Sequence, residues 1–268
     1  MRIIPIIALL VLAAAPAAAQ GIVVPLRCEG ACPADGRLPR SLAMDTVRVW
    51  GNVLRGHATI YVDHVVRNQT AGTLDGAFFF PLPPGAAIHT VSVFEGEELE
   101  RYGDWSGPGE SRRMLEEIVR ERPDAGLREY AGTGVVHVEV PSIPPRGSQR
   151  VQIVYTQPLR AVDGTLSLRY PLSVGASVVD IGHLSIGFTV TTAAGFRDLR
   201  SPSHAVDVQP GTESARCPRE MRCGYRGVTS HRVKIVRLRQ GHGDRTRDFE
   251  ILYTPEDAAA ERRSASIP

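Results

Sequence analysis

The chain has 268 residues, with 31 Lys and Arg against 29 Asp and Glu, and a formal net charge of +2. Hydrophobic residues make up 43% and charged residues 22%, which excludes a long disordered chain and a polycation built for nucleic acid. Four cysteines are too few for a disulfide-dense mini-scaffold, so we expect an ordinary folded protein of one large or two small domains.

Residues 1–19 have the pattern of a secretory signal peptide. Arg2 supplies a positive charge, residues 3–15 are almost continuously apolar, and the small residues before Gln20 fit a cleavage site. The apolar run is shorter than the roughly 20 residues of a membrane span. We therefore expect an exported chain, periplasmic or extracellular, with no integral membrane span after signal cleavage; an uncleaved anchor is the alternative.

The cysteines lie in two close pairs along the sequence, Cys28 with Cys32 and Cys217 with Cys223. An exported chain can form disulfides, and four cysteines permit three pairings. We expect the two local pairs, because each closes a short loop. A zinc site made of all four cysteines is the alternative, although Cys217 and Cys223 are farther apart than paired zinc ligands usually are.

Alternating apolar and polar residues predict half-buried strands along most of the chain. Residues 57–67 place Ala58, Ile60, Val62 and Val66 on one face, and His64 falls on the same face as a candidate core histidine. Similar patterns occupy residues 74–82, 136–140, 151–155, 184–190 and 232–237, where Val233 and Ile235 are the apolar members. Pro- and Gly-rich segments at 81–85, 141–147 and 162–164 separate them as turns.

Residues 111–122 break this pattern and predict a short helix. Met114, Leu115, Ile118 and Val119 form one apolar stripe that we expect to pack in the core. Ser111 is the predicted cap of this helix, and the proline that follows it ends it. The expected architecture is two packed antiparallel sheets with one short helix across an edge or end.

Residues 68–159 contain four segments in order: FPLPPGA at 80–86, the charged helix at 111–119, VPSIPP at 140–145 and VYTQPL at 154–159. In this order they resemble the segments of the VIT domain, the domain of vault protein and inter-alpha-trypsin inhibitor heavy chains. The resemblance implies a mainly β fold: an antiparallel β-sandwich-like domain with one short helix, followed by a β-rich segment.

The resemblance also divides the chain. We expect a signal peptide at 1–19, a Cys-containing N-terminal segment at 20–45, a VIT domain at 46–160, a β-rich companion segment at 161–254 and a flexible tail at 255–268. In the family a metal-binding von Willebrand factor A-type domain usually follows the companion. The expectation here is a bacterial exported type that lacks the A-type domain, with no cofactor and no metal site of its own.

Catalytic residues are not predicted. The best enzymatic candidate is Ser203 beside His204, which would make the chain an exported hydrolase; residues adjacent in sequence do not by themselves form a catalytic pair, and there is no G-x-S-x-G nucleophile elbow. Local hydrogen bonding by the serines of a turn is the simpler interpretation. The segment Asn68-Gln69-Thr70 matches the glycosylation sequon, a common pattern that carries little weight alone.

Four basic residues near the C-terminus, Arg232, Lys234, Arg237 and Arg239, are the candidate interaction residues. They indicate either an edge strand protected by charge or a contact for an anionic envelope polymer or acidic partner. The sequence thus favours a non-catalytic exported protein-interaction or scaffold module that does not bind nucleic acid. Its predicted partner is a separate von Willebrand factor A-type protein, as half of a split system, or an envelope component.

Overall fold

The computed structural model of the chain describes residues 21–32, 41–95, 98–103, 105–121, 134–172, 181–212, 229–239 and 247–257. Within these ranges the strands and the helix have the following bounds: β1 (Ile22–Ala31), β2 (Leu42–Leu54), β3 (His57–Asn68), β4 (Ala71–Pro81), β5 (Ala87–Glu95), β6 (Glu98–Tyr102), β7 (Trp105–Ser106), α1 (Pro108–Glu121), β8 (Val135–Ile143), β9 (Ser148–Pro158), β10 (Arg160–Val162), β11 (Thr165–Tyr170), β12 (His183–Thr191), β13 (Phe196–Arg200), β14 (Val206–Thr212), β15 (Thr229–Leu238) and β16 (Phe249–Pro255).

The strands form three sheets. The central sheet has eight strands in the order β14-β15-β12-β2-β3-β9-β5-β6; the first flanking sheet has the order β1-β4-β8-β7, and the second flanking sheet β10-β11-β16-β13. Neighbouring strands are antiparallel except β2 and β12, which are parallel. The predicted mainly β class, with antiparallel sheets and one short helix in the described part of the chain, is confirmed.

The parallel pair joins the predicted VIT domain to the segment that follows it. Residues Thr46 to Leu54 of β2 pair with residues His183 to Thr191 of β12 without interruption. Through this pairing β12, β15 and β14 extend the sheet that β2, β3, β9, β5 and β6 begin. The two parts of the chain therefore share one continuous sheet.

Both flanking sheets pack on the same side of the central sheet, here called its inner face. His64 of β3 contacts Phe78 of β4, with ring centroids 4.7 Å apart, and Phe188 of β12 stacks on Phe249 of β16 at 6.1 Å. The inner-face residues belong to one hydrophobic cluster with both flanking sheets. His64 is fully buried in it, as its place on an apolar face predicted.

Asn68, the first residue of the sequon, is a buried structural residue. Its side-chain amide donates to the carbonyl oxygens of Gly72 at 2.8 Å and Ile143 at 3.0 Å. Its side-chain oxygen accepts from the backbone N–H and the hydroxyl of Thr70, both at 2.8 Å. These bonds hold the turn between β3 and β4 against the end of β8, so the amide nitrogen that a glycan would need is already engaged inside the fold.

Helix α1 begins at Pro108, three residues earlier than predicted, and Ser111 does not cap it. Proline suits the first helical turn because that turn needs no N–H from it. The N–H of Ser111 donates to the carbonyl oxygen of Gly107 at 3.0 Å, while its hydroxyl donates to that of Ser106 at 2.8 Å. The predicted cap was wrong, and the serine instead ties the helix to β7.

The helix lies on the open side of the first flanking sheet, not at an edge or end of the sandwich. Leu115 and Ile118 are buried there against Phe79, which points away from the main core. This second cluster also includes Ile22, Val24, Ala77 and Val135. The sheet has two apolar faces, and the helical stripe covers the second one.

His137 lies on this same side of the first flanking sheet and is buried. Its ring centroid lies 5.2 Å from that of Phe79, and Ser106 is its partner on the neighbouring strand β7. Burial lowers the pKa of His137 below its usual value, while Glu139 and Glu110 act in the opposite direction. Protonation of the ring is therefore costlier in the folded protein than in the unfolded chain.

This predicts a stability that falls on acidification. The unfolded chain binds a proton at His137 more readily than the folded protein, so the contribution of His137 is complete above about pH 6.5 and is lost as pH falls through the lowered folded pKa. Urea unfolding of the wild type and of His137→Gln, measured between pH 5 and 7, will show a smaller pH dependence in the variant. Equal slopes would contradict the assignment.

Candidate functional site

Cys28 and Cys32 form a disulfide at the end of β1, with Cα atoms 5.9 Å apart. This local pairing is confirmed. It closes the short segment at which β1 pairs with the start of β4. Cys217 and Cys223 lie outside the described residues, so their pairing stays a prediction.

The four candidate basic residues are divided between the two faces of the central sheet. Lys234 lies opposite Val190 and therefore on the inner-face side, and strand alternation places Arg232 on that side too. Arg237 and Arg239 lie on the opposite side, called the outer face, and Arg239 donates to Asp207 at 3.0 Å. Strand alternation agrees with this split, since 232 and 234 are even positions and 237 and 239 are odd ones.

The prediction for residues 232–237 also assigned the wrong residues to the core-facing side of the strand. Val236, not Ile235, lies opposite Phe188 in the core, and Val233 is buried on the outer side against Gly211 of β14. Nor is β15 an edge strand, because β14 covers its other side. The β14–β15 register shifts between Pro210, which is opposite Lys234, and Gly211, which is opposite Ser230, so Val233 is one of three residues of β15 left without a partner on β14.

Ser203 and His204 do come together: Ser203 Oγ lies 2.9 Å from His204 Nδ1. The same oxygen accepts the backbone N–H of Glu250 at 2.8 Å, and the imidazole is buried beside Phe249 at a centroid distance of 5.5 Å. The N–H of His204 in turn donates to Ser201 Oγ at 3.2 Å. These contacts fasten the turn before β14 to the start of β16, which is a structural role for the pair.

In the part of the chain that the structure describes, no group of three or more His, Cys, Asp or Glu side chains is placed to hold a metal ion. The same residues include no helix with the length and apolar character needed to cross a membrane.

The outer face of the central sheet carries a feature that sequence reasoning missed. One row of directly opposed residues crosses five strands: Val154 of β9, Tyr61 of β3, Trp50 of β2, Gly187 of β12 and Arg237 of β15. The Trp50 and Tyr61 rings are parallel within 7°, with centroids 5.6 Å apart. Among the described elements none packs on this face. The polar alternation of β2 and β3 was the available signal, since it leaves both aromatic residues on the side away from the core.

The family comparison covers the strands that build most of this sheet. Residues 44–155 match the family model of the vault protein inter-alpha-trypsin (VIT) domain. The chain contains a VIT domain. Its strands β3, β9 and β5, together with nearly all of β2, supply the aromatic pair and the β9 end of the outer-face row, while β12 and β15 supply Gly187 and Arg237 from beyond the matched range.

Known structures resemble the chain only distantly. A putative nutrient binding protein from Legionella pneumophila is 14% identical with a TM-score of 0.47, over 92% of this chain and 74% of that one. An M1 zinc metallopeptidase from Deinococcus radiodurans is 10% identical with a TM-score of 0.42; the match spans 80% of this chain but only 42% of the peptidase. No curated protein matches the sequence.

Proposed function

We propose that this chain is a non-catalytic exported interaction module that binds an extended segment of a protein partner along β14. VIT proteins are generally extracellular and their domain generally mediates protein interaction, which supports both parts of the proposal. The VIT family is not a known enzyme family. The contacts of Ser203 described above account for that residue without catalysis.

The observation that carries the proposal is the edge position of β14. This strand pairs with β15 on one side, and no described strand pairs with its other side. An edge strand presents unpaired N–H and C=O groups, to which an extended peptide can add as a further strand. Val208 in its middle is 42% exposed, which leaves an apolar contact for the added strand.

The charges beside this edge favour an acidic segment. Arg232 and Lys234 lie on one side of β15 and Arg237 on the other, so basic side chains flank the edge on both faces of the sheet. Arg239, beside Arg237, is already paired with Asp207 of β14. Successive side chains of an added strand point to alternate faces. The partner is an A-type protein of a split system or an envelope component, and the gene next to this one is the first place to look for it.

A charge placed on the edge is expected to abolish partner binding. In pull-downs from the native envelope, the wild type and the control Val162→Glu, which changes a 53% exposed valine on β10, will retain the same proteins, whereas Val208→Glu will lose them. Retention of the same proteins by all three chains would place the partner elsewhere. No reproducible protein on the wild type, with and without cross-linker, would overturn the proposed function.

A further inference from the structure

The aromatic pair on the outer face, here called the platform, is a stack of two parallel rings. Trp50 and Tyr61 are cross-strand neighbours on β2 and β3, parallel and half-buried, on a face that no described element covers. Rings of this kind combine a large apolar surface with a polar group at one end. A pyranose ring is complementary to them, because one of its faces exposes C–H groups while its rim carries hydroxyls.

Hydrogen-bonding side chains border the platform on both sides. Thr59 and Asn52, which lie opposite each other, border one side, and the exposed Arg48 borders the other. Asp63, opposite Arg48, is buried and engaged within the fold, because Gln152 donates to it at 2.9 Å and Arg150 at 3.3 Å. Amide, hydroxyl and guanidinium groups supply donors and acceptors that sugar hydroxyls need.

Two arginines add positive charge to this polar border. Arg48 and Arg237 are exposed, and neither forms an ion pair with an acidic side chain in the described part of the chain. Gly187 separates Trp50 from Arg237 with no side chain between them, and the two residues are two strands apart, about 10 Å. An arginine binds a carboxylate through two parallel hydrogen bonds.

We propose that this face binds a polysaccharide whose sugar rings carry carboxylates. One sugar ring packs against an aromatic face of the Trp50–Tyr61 stack, and the carboxylate of a nearby sugar ring pairs with Arg237. The cores of protein interfaces are depleted of charge and rich in apolar contacts. Here the aromatic pair is instead bordered by short polar side chains, which suits a saccharide better than a protein surface. This site lies on a sheet face; it shares Arg237 with the basic residues beside the β14 edge, and its aromatic pair lies three and four strands away from that edge.

Tryptophan fluorescence can report on this site directly, because the chain has two tryptophans and the other one, Trp105, is exposed on β7. In full-length Trp105→Phe, Trp50 is the sole reporter. Titration with oligosaccharides of galacturonic or mannuronic acid will change its emission. The fully methyl-esterified galacturonic probe, which has lost its charge, will bind at least about tenfold more weakly.

Calorimetry with the same probes separates the platform from general charge effects. Trp50→Ala and Arg237→Gln will each lower the affinity about tenfold or more. The controls Trp105→Ala and Arg160→Gln, which change an exposed tryptophan and an exposed arginine elsewhere, will bind as the wild type does. Arg237 is exposed, so its variant tests the site even if Trp50→Ala fails to fold. Absence of binding by both acidic probes overturns the proposal, as does equal loss in the two controls.

Binding of the probes is also independent of the protein partner. Val208→Glu will keep its saccharide affinity, and Arg237→Gln remains informative because it is scored with a saccharide alone. If the wild type retains an envelope protein that Trp50→Ala loses, the outer face is a protein-binding surface. That result overturns the saccharide proposal and leaves the edge-strand result unaffected.

Discussion

Replacing Phe78 by alanine is expected to lower the free energy of unfolding by about 3 to 5 kcal/mol, because a fully buried aromatic ring is lost and the surrounding core cannot close the cavity completely. Phe78 projects from β4 into the core between the first flanking sheet and the central sheet, where it contacts His64. Urea unfolding, followed by circular dichroism at neutral pH, measures the loss.

The control for Phe78→Ala is Leu54→Ala, at a side chain that is half exposed beside the β2–β3 hairpin. Its effect will stay within about 0.5 kcal/mol, as is usual for surface positions. A loss below about 1 kcal/mol for Phe78→Ala, with an unchanged denaturant dependence, would mean that the two sheets are not held together by this ring.

The second large effect is expected at Asn68. Alanine there removes the donor to the carbonyl oxygen of Ile143 and one of two side-chain donors to that of Gly72, which keeps the Thr70 hydroxyl at 3.0 Å. Both hydrogen bonds from Thr70 to the Asn68 side chain are lost as well. A buried polar group left without a partner costs about 1 to 3 kcal/mol, so the free energy of unfolding will fall by roughly 2 to 4 kcal/mol.

Asn52→Ala is the matched control for this change, because Asn52 is exposed on the outer face of the central sheet. It will unfold within about 0.5 kcal/mol of the wild type in the same urea titration. Equal stability of Asn68→Ala and Asn52→Ala would contradict the role of the buried amide, and a glycan found on Asn68 of the folded protein would contradict its burial.

The strands of the VIT domain could be predicted because each has one face in the core. Ala58, Ile60 and Val62 alternate with polar residues, and that period of two is visible without knowledge of the partner strand. The order of the VIT segments then indicated the family, which the family model confirms for residues 44–155.

What the sequence did not reveal depends on contacts between distant residues. Phe79 and the stripe of α1 each looked like ordinary core residues, and only the first flanking sheet shows that they form a second cluster. The aromatic row is similar: Trp50 and Tyr61 are neighbours through strand pairing, and Arg237 joins them only because β12 lies between. Register across a sheet is not encoded in any single segment.

The parallel pairing of β2 with β12 bears on what counts as a unit of this protein. A fragment cut at the limits of the family match would expose Thr46 to Leu54 of β2 as an open edge beside an apolar inner face, the arrangement that promotes aggregation and strand exchange. Unfolding should therefore be cooperative across the end of the VIT domain, since β12 cannot leave without undoing nine residues of pairing. The smallest piece expected to fold by itself is thus larger than the recognisable domain, because it has to include β12.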